Sequence, residues 1–196
     1  SIIFNGGGFS PLYTAEVSSS ATYVYIPFNI GEMNYSVFHV VANFASNNES
    51  SGGYLRYQTQ SAAGSDIAMA YSTTANNTSS SRGSNSTTTG GFINHWQAGS
   101  SGVSQAYTGE RIQIHMIISQ DLYNGQPLTT PTIYGKCLHR STTNLAYFTH
   151  FNAKVLTNNR IGRIKLWLST SSTSNVYTNG IAFHKVKTWS VFDGLT

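Results

Sequence analysis

Charge is scarce in this chain. Of its 196 residues, 9% are Asp, Glu, Lys or Arg, where about a quarter is usual. Cysteine is nearly absent too. Cys137 is the single one, so no disulfide can form within the chain. A lone cysteine of this kind is expected to be a small buried apolar residue. No apolar run reaches the length of a transmembrane helix, so no membrane insertion is expected. The stretch SIIFNGGGFSP lacks a basic segment followed by a long apolar one, and no signal peptide is predicted from it.

The chain is rich in aromatic residues, with 12 Tyr, 10 Phe and 3 Trp. A disordered chain has the opposite composition. Ser, Thr, Asn and Gly fill much of the remainder. A folded β protein with a neutral, hydroxyl-rich surface is expected. The length suits one domain with its own core. We divide it into a Gly-rich N-terminal arm over 1–13 and a single domain over 14–196.

The formal net charge is +4. The basic residues gather loosely at Lys154, Arg160, Arg163 and Lys165, then at Lys185 and Lys187. Alternate residues of a strand point to opposite faces, so this is a poor footprint for nucleic acid, and no nucleic-acid partner is expected. Lysines discourage edge-to-edge pairing, so the expectation is a solvated edge strand.

Strand signals dominate. TYVYIPFNI, YLRYQTQ, IAMAYS, FINHWQAG, RIQIHMIIS, TIYGKCLHR, LAYFTHFNAKVL and KTWSVF are rich in β-formers. NYSVFHVVANFA is apolar on both sides and is expected to be central, covered on both faces. STTANNTSSSRGSNSTTTGG is expected to be a long loop or a pair of hydrated, frayed strands. Asn124-Gly125 is a turn signal. RIGRIKLWLSTSSTSNVYTNGIAFHKVK looks like a hairpin. Ile164, Leu166 and Leu168 would face the core, and Arg163, Lys165 and Trp167 would face solvent or a neighbouring subunit. No helical periodicity is evident. The predicted fold is all-β, an antiparallel sandwich or jelly roll.

No catalytic residue, metal ligand or cofactor is assigned. The acids Glu16, Glu32, Glu49, Asp66, Glu110, Asp121 and Asp193 are scattered. None of the histidines falls in a metal-binding spacing such as H-E-x-x-H. Cys137 and His139 share a strand face, but no acid or amide nearby would orient the histidine. The three glycines of IFNGGGFS are not followed by a phosphate-loop signature.

A neutral surface of Ser, Thr, Asn and Tyr suits hydrogen bonding to sugar hydroxyls, and Tyr and Trp add flat apolar faces with a polar tip. Candidate ligand-binding residues are Trp96, Tyr107, Tyr123 and Trp167, with Trp189 considered beside them. Phe4, Gly6, Gly7, Gly8 and Phe9 are candidate anchoring residues in the arm.

The order TAEVSSSATYVYIPF, YSVFHVVANF, YLRYQTQ, a polar loop, TIYGKCLHR and GRIKLWLS resembles the distal β-sandwich domains of bacteriophage tail-fibre and related virion proteins. The resemblance runs from about Thr14 to Trp189. It implies a homotrimeric knob or fibre tip on the virion surface, in contact with other virion proteins and with host-surface glycan. The chain departs from that pattern after the last matching strand, where LWLSTSSTSNVYTNGIAFHKV adds a further segment. The function expected is non-enzymatic attachment to the host. The alternatives are a capsid decoration (cement) protein bound through the arm, and a polysaccharide hydrolase.

Overall fold

The computed structural model describes residues 13–16, 23–27, 37–46, 54–75, 81–88, 90–93, 111–120, 122–123, 126–140, 146–169 and 183–192. Within them lie fourteen strands and no helix. In chain order they are β1 (Tyr13–Glu16), β2 (Tyr23–Pro27), β3 (Val37–Ser46), β4 (Tyr54–Gln60), β5 (Met69–Ala75), β6 (Ser81–Thr87) and β7 (Gly91–Phe92). There follow β8 (Arg111–Ser119), β9 (Leu122–Tyr123), β10 (Gln126–Pro127), β11 (Thr132–Arg140), β12 (Ala146–Val155), β13 (Arg163–Ser169) and β14 (Phe183–Phe192). An eight-stranded sheet has the order β1-β14-β3-β8-β11-β12-β5-β6, and a four-stranded sheet the order β2-β13-β4-β7. β9 and β10 form a two-stranded ribbon with Tyr123 opposite Gln126; the turn signal at Asn124-Gly125 lies outside the described residues. Every pairing is antiparallel.

Period-two alternation explains which face of each sheet is buried. On β8, Ile114, Met116 and Ile118 are buried while Gln113 and His115 are exposed. On β11, Ile133 and Cys137 turn inward, while Tyr134, Lys136 and Leu138 turn outward. The four-stranded sheet contributes Val24, Ile26, Leu55, Tyr57, Ile164 and Leu166 to the same hydrophobic cluster. The two sheets therefore share one core. The rings of Tyr57 and Phe151 meet across it at 5.5 Å between centroids, and the Tyr57 hydroxyl donates to the Asn152 carbonyl at 3.3 Å.

Gly90–Ile93 ties the sheets together. The amide of Ile93 donates to the Leu55 carbonyl at 2.9 Å. From the other sheet, Thr149 donates to the Ile93 carbonyl at 2.8 Å, and Thr73 donates to the Phe92 carbonyl. These threonines are buried, and such bonds satisfy hydroxyls that would otherwise be costly there.

Three expectations are corrected. β13 and β14 do not form a hairpin, because β13 lies in the four-stranded sheet and β14 in the eight-stranded one. The strand carrying Arg163 and Lys165 is not an edge; it runs between β2 and β4. β3 is internal in strand order, but over Val40–Ala42, where its side chains are described, one face is open. Val40 and Ala42 are buried, whereas Val41 is 38% exposed. The polar stretch after Ser72 takes the second of its two expected forms: β5 and β6 pair antiparallel at the edge of the large sheet, with a register irregularity between Met69 and Tyr71.

Candidate functional site: the outer face of the four-stranded sheet

In antiparallel strands, directly opposed residues share a face. Trp167, Lys165 and Arg163 on β13 stand opposite Arg56, Gln58 and Gln60 on β4. On the other side they stand opposite Tyr23, Tyr25 and Pro27 on β2. Phe92 on β7 is opposite Arg56. These ten residues form the outer face, with the core residues of the same strands pointing the other way. Three of the ten are cations and four are aromatic.

The cations lie over the rings. The Arg163 guanidinium carbon is 4.2 Å from the centre of the Tyr25 ring, and Lys165 Nζ is 4.1 Å from that of Tyr23. Each contact is diagonal, since Lys165 is registered opposite Tyr25 and Arg163 opposite Pro27. Lys165 Nζ also lies 5.4 Å from the Trp167 ring. Arg56 sits between Phe92 at 4.3 Å and Trp167 at 5.6 Å, and its Nη2 donates to the Gly90 carbonyl at 3.1 Å. These distances suit attraction between a cation and the negative face of a ring.

Amides fix the orientation of Arg163. Its Nε donates to Gln60 Oε1 at 2.7 Å, and Gln60 Nε2 donates in turn to Asp66 Oδ1 at 2.7 Å. Its terminal nitrogen crosses Gly64, whose φ of 92° favours glycine, where a Cβ would overlap it. Gln58 Nε2 donates to the carbonyls of Ile67 at 2.7 Å and Thr59 at 3.1 Å.

Exposure is graded across the face. At β2, Tyr23 and Tyr25 are 38% and 40% exposed. Arg163 and Lys165 are half-buried. Toward β4, Arg56, Gln58, Gln60 and Trp167 are buried, with Trp167 at 4%. The Gln58 Oε1 and Trp167 Nε1 atoms are buried and make no hydrogen bond. Leaving such a group unsatisfied costs about 1–3 kcal/mol, and departures of this kind from ordinary folding rules concentrate at functional sites.

Of the aromatic residues singled out from the sequence, Trp167 lies on this face. It stands beside Lys165 and opposite the core-facing Ile164 and Leu166, as expected. It is covered rather than solvent-facing, because Arg56 and the Gly90 backbone close over it. Tyr123 lies on β9, away from this sheet's strands. Trp189 lies on β14, in register with Thr14 and Val41. Trp96 and Tyr107, and the arm residues Phe4, Gly6, Gly7, Gly8 and Phe9, lie outside the described residues. Sequence reasoning missed Tyr23, Tyr25, Arg56, Gln58 and Phe92. The alternation of TYVYIPF and of YLRYQTQ signals that Tyr23 and Tyr25 share a face, as do Arg56, Gln58 and Gln60. What assembles them is the pairing of β2 and β4 on either side of β13, which alternation does not encode.

The outer face of the eight-stranded sheet is different. A shallow depression there lies among Val41, His115, Lys136, Leu138 and Phe148, and Tyr134 Oη is 3.4 Å from His150 Nδ1. Among the described residues, no group of three or more His, Cys, Asp or Glu stands close enough to hold a metal ion. Comparison with family models, with curated proteins and with solved structures gives no match.

Proposed function

We propose that this chain is a non-enzymatic surface protein of a bacteriophage particle, which attaches the particle to its host by binding glycan. The supporting observation is the outer face of the four-stranded sheet. Tyr23 and Tyr25 present half-exposed rings there, held by Lys165 and Arg163, beside the amides of Gln58 and Gln60. Flat rings stack on the apolar faces of sugars, while cations meet their oxygens. The sequence resemblance supplies the virion setting, the jelly-roll form of the sandwich and the homotrimeric knob. Three weak sites on one knob would hold a surface by avidity.

The test is retention of the purified protein on immobilised polysaccharide extracted from host cells, together with its mass from light scattering. Retention that is lost in Tyr23→Ala and Tyr25→Ala, at trimeric mass, is the expected result. A protein that is never retained would overturn the binding role, and a monomeric mass at micromolar concentration would overturn the trimer.

A further inference from the structure

We infer that the ligand of this face is an acidic polysaccharide, a sugar chain bearing carboxylate or sulfate groups, with Arg163 and Lys165 as the residues that hold those groups. The inference rests on the glycan-binding reading above and narrows it.

The charges lead to it. Arg163 and Lys165 are two residues apart on β13, and both belong to the outer face. Their spacing along the strand is about 6.6 Å. Among the described residues their partners are rings and an amide, not carboxylates. Asp66, the acid close by, accepts from Gln60 instead. A cation over an exposed ring is held more weakly than one in a charge-assisted hydrogen bond to an anion. An incoming carboxylate or sulfate therefore gains the stronger contact, while the rings keep both cations in place before it arrives. Pre-organisation of this kind lowers the entropy lost on binding.

The donors fit as well. Lys165 carries three N–H donors and no acceptor, and Arg163 keeps its terminal nitrogens after Nε has gone to Gln60. Tyr23 and Tyr25 are the exposed members of the face and border both cations. One acidic sugar can thus stack on a tyrosine while its charged group meets the neighbouring cation. A nucleic-acid strand is disfavoured, because non-specific affinity for phosphates draws on a longer basic stripe than these two residues provide.

Affinity electrophoresis of the whole chain tests this. The gels contain polygalacturonate, its methyl ester, dextran sulfate, neutral dextran or an oligothymidylate. Polygalacturonate and dextran sulfate are expected to retard the protein, and their uncharged counterparts to do so far less. About 0.5 M salt should remove the difference by screening. Lys165→Gln should weaken retardation about tenfold while the protein keeps a cooperative thermal transition. Lys165→Arg should keep it, and Lys136→Gln on the other sheet should leave it unchanged. Equal retardation by charged and uncharged polymers, untouched by Lys165→Gln, would overturn the acidic assignment and leave glycan binding standing. Retardation by none of the saccharides would overturn both. Stronger retardation by oligothymidylate would assign the face to nucleic acid instead.

Discussion

Gly90 packs against the six-membered ring of Trp167. A Cβ on residue 90 would overlap Cη2 of that ring and lie 2.8 Å from Cζ2. The φ of residue 90 is 96°, which side chains rarely adopt. Gly90→Ala therefore meets steric overlap and backbone strain together, and the variant should lose about 2 kcal/mol or more. The urea midpoint measures this. An unchanged midpoint would mean that the ring is not fixed against Gly90.

A second glycine makes room for Phe151, one of the largest fully buried side chains. A Cβ at Gly135 would overlap Cζ of Phe151, whose ring also meets Tyr57. Phe151→Ala should cost about 3–5 kcal/mol. Gly135→Ala alone should also destabilise. In combination with Phe151→Leu it should cost less than the two single changes together, since residues in contact couple. A double-mutant cycle by denaturant unfolding reads the coupling, and strict additivity would contradict the packing.

Cys137 offers a prediction in pH. Burial pushes its thiol from the usual 9.0 up to about 12, with a hydrogen bond to Thr149 pulling the other way. Below about pH 9 the thiol is protonated both folded and unfolded, so its contribution to stability is fully present. As pH rises from there toward about 12, the unfolded chain ionises and the folded one does not. Stability then falls by up to about 1.4 kcal/mol per pH unit. The slope above pH 9 should be shallower in Cys137→Ala than in the parent chain. At about pH 8 a thiol reagent should leave the native protein unmodified and label one thiol after denaturation. Rapid native labelling would show that the thiol is accessible.

Gln120 closes a buried pair of bonds with the backbone of Ile161. Its Oε1 accepts from the Ile161 amide at 2.8 Å, and its Nε2 donates to the Ile161 carbonyl at 3.3 Å. Gln120 is fully buried. Gln120→Ala removes both bonds and should cost about 1–3 kcal/mol for the orphaned groups. Hydrogen exchange at the Ile161 amide should accelerate in the variant. Unaltered protection would show that the amide finds another partner.

The face of each strand was legible in the sequence wherever alternation is strong. RIQIHMIIS places Ile114, Met116 and Ile118 in the core, and RIKLW separates Ile164 and Leu166 from Arg163, Lys165 and Trp167. The partners of each strand were not legible. Ile164 and Leu166 are equally well buried in a hairpin with the next strand or between β2 and β4, and a period of two does not distinguish these. The same limit hid the candidate site. Trp167 and the two cations stand out within one segment, but Tyr23, Tyr25 and Arg56 come from strands far away in sequence. Exposure at Val41 escaped for a related reason, because an apolar side chain on an uncovered sheet face has the same hydrophobicity as one in a core.

The position of β14 bears on how the chain reaches this arrangement. β14 runs between β1 and β3, so the last of the described strands joins two of the first three described. β1 pairs with no other strand among the described residues, and its register partners lie nearly the full length of the chain away. Bringing such distant segments together loses loop entropy before any contact returns it, and folding slows as contact order rises. Refolding is therefore expected to be slow, with β3 presenting an open edge until β14 docks. That edge is where intermolecular strand pairing would begin if synthesis or refolding stalled.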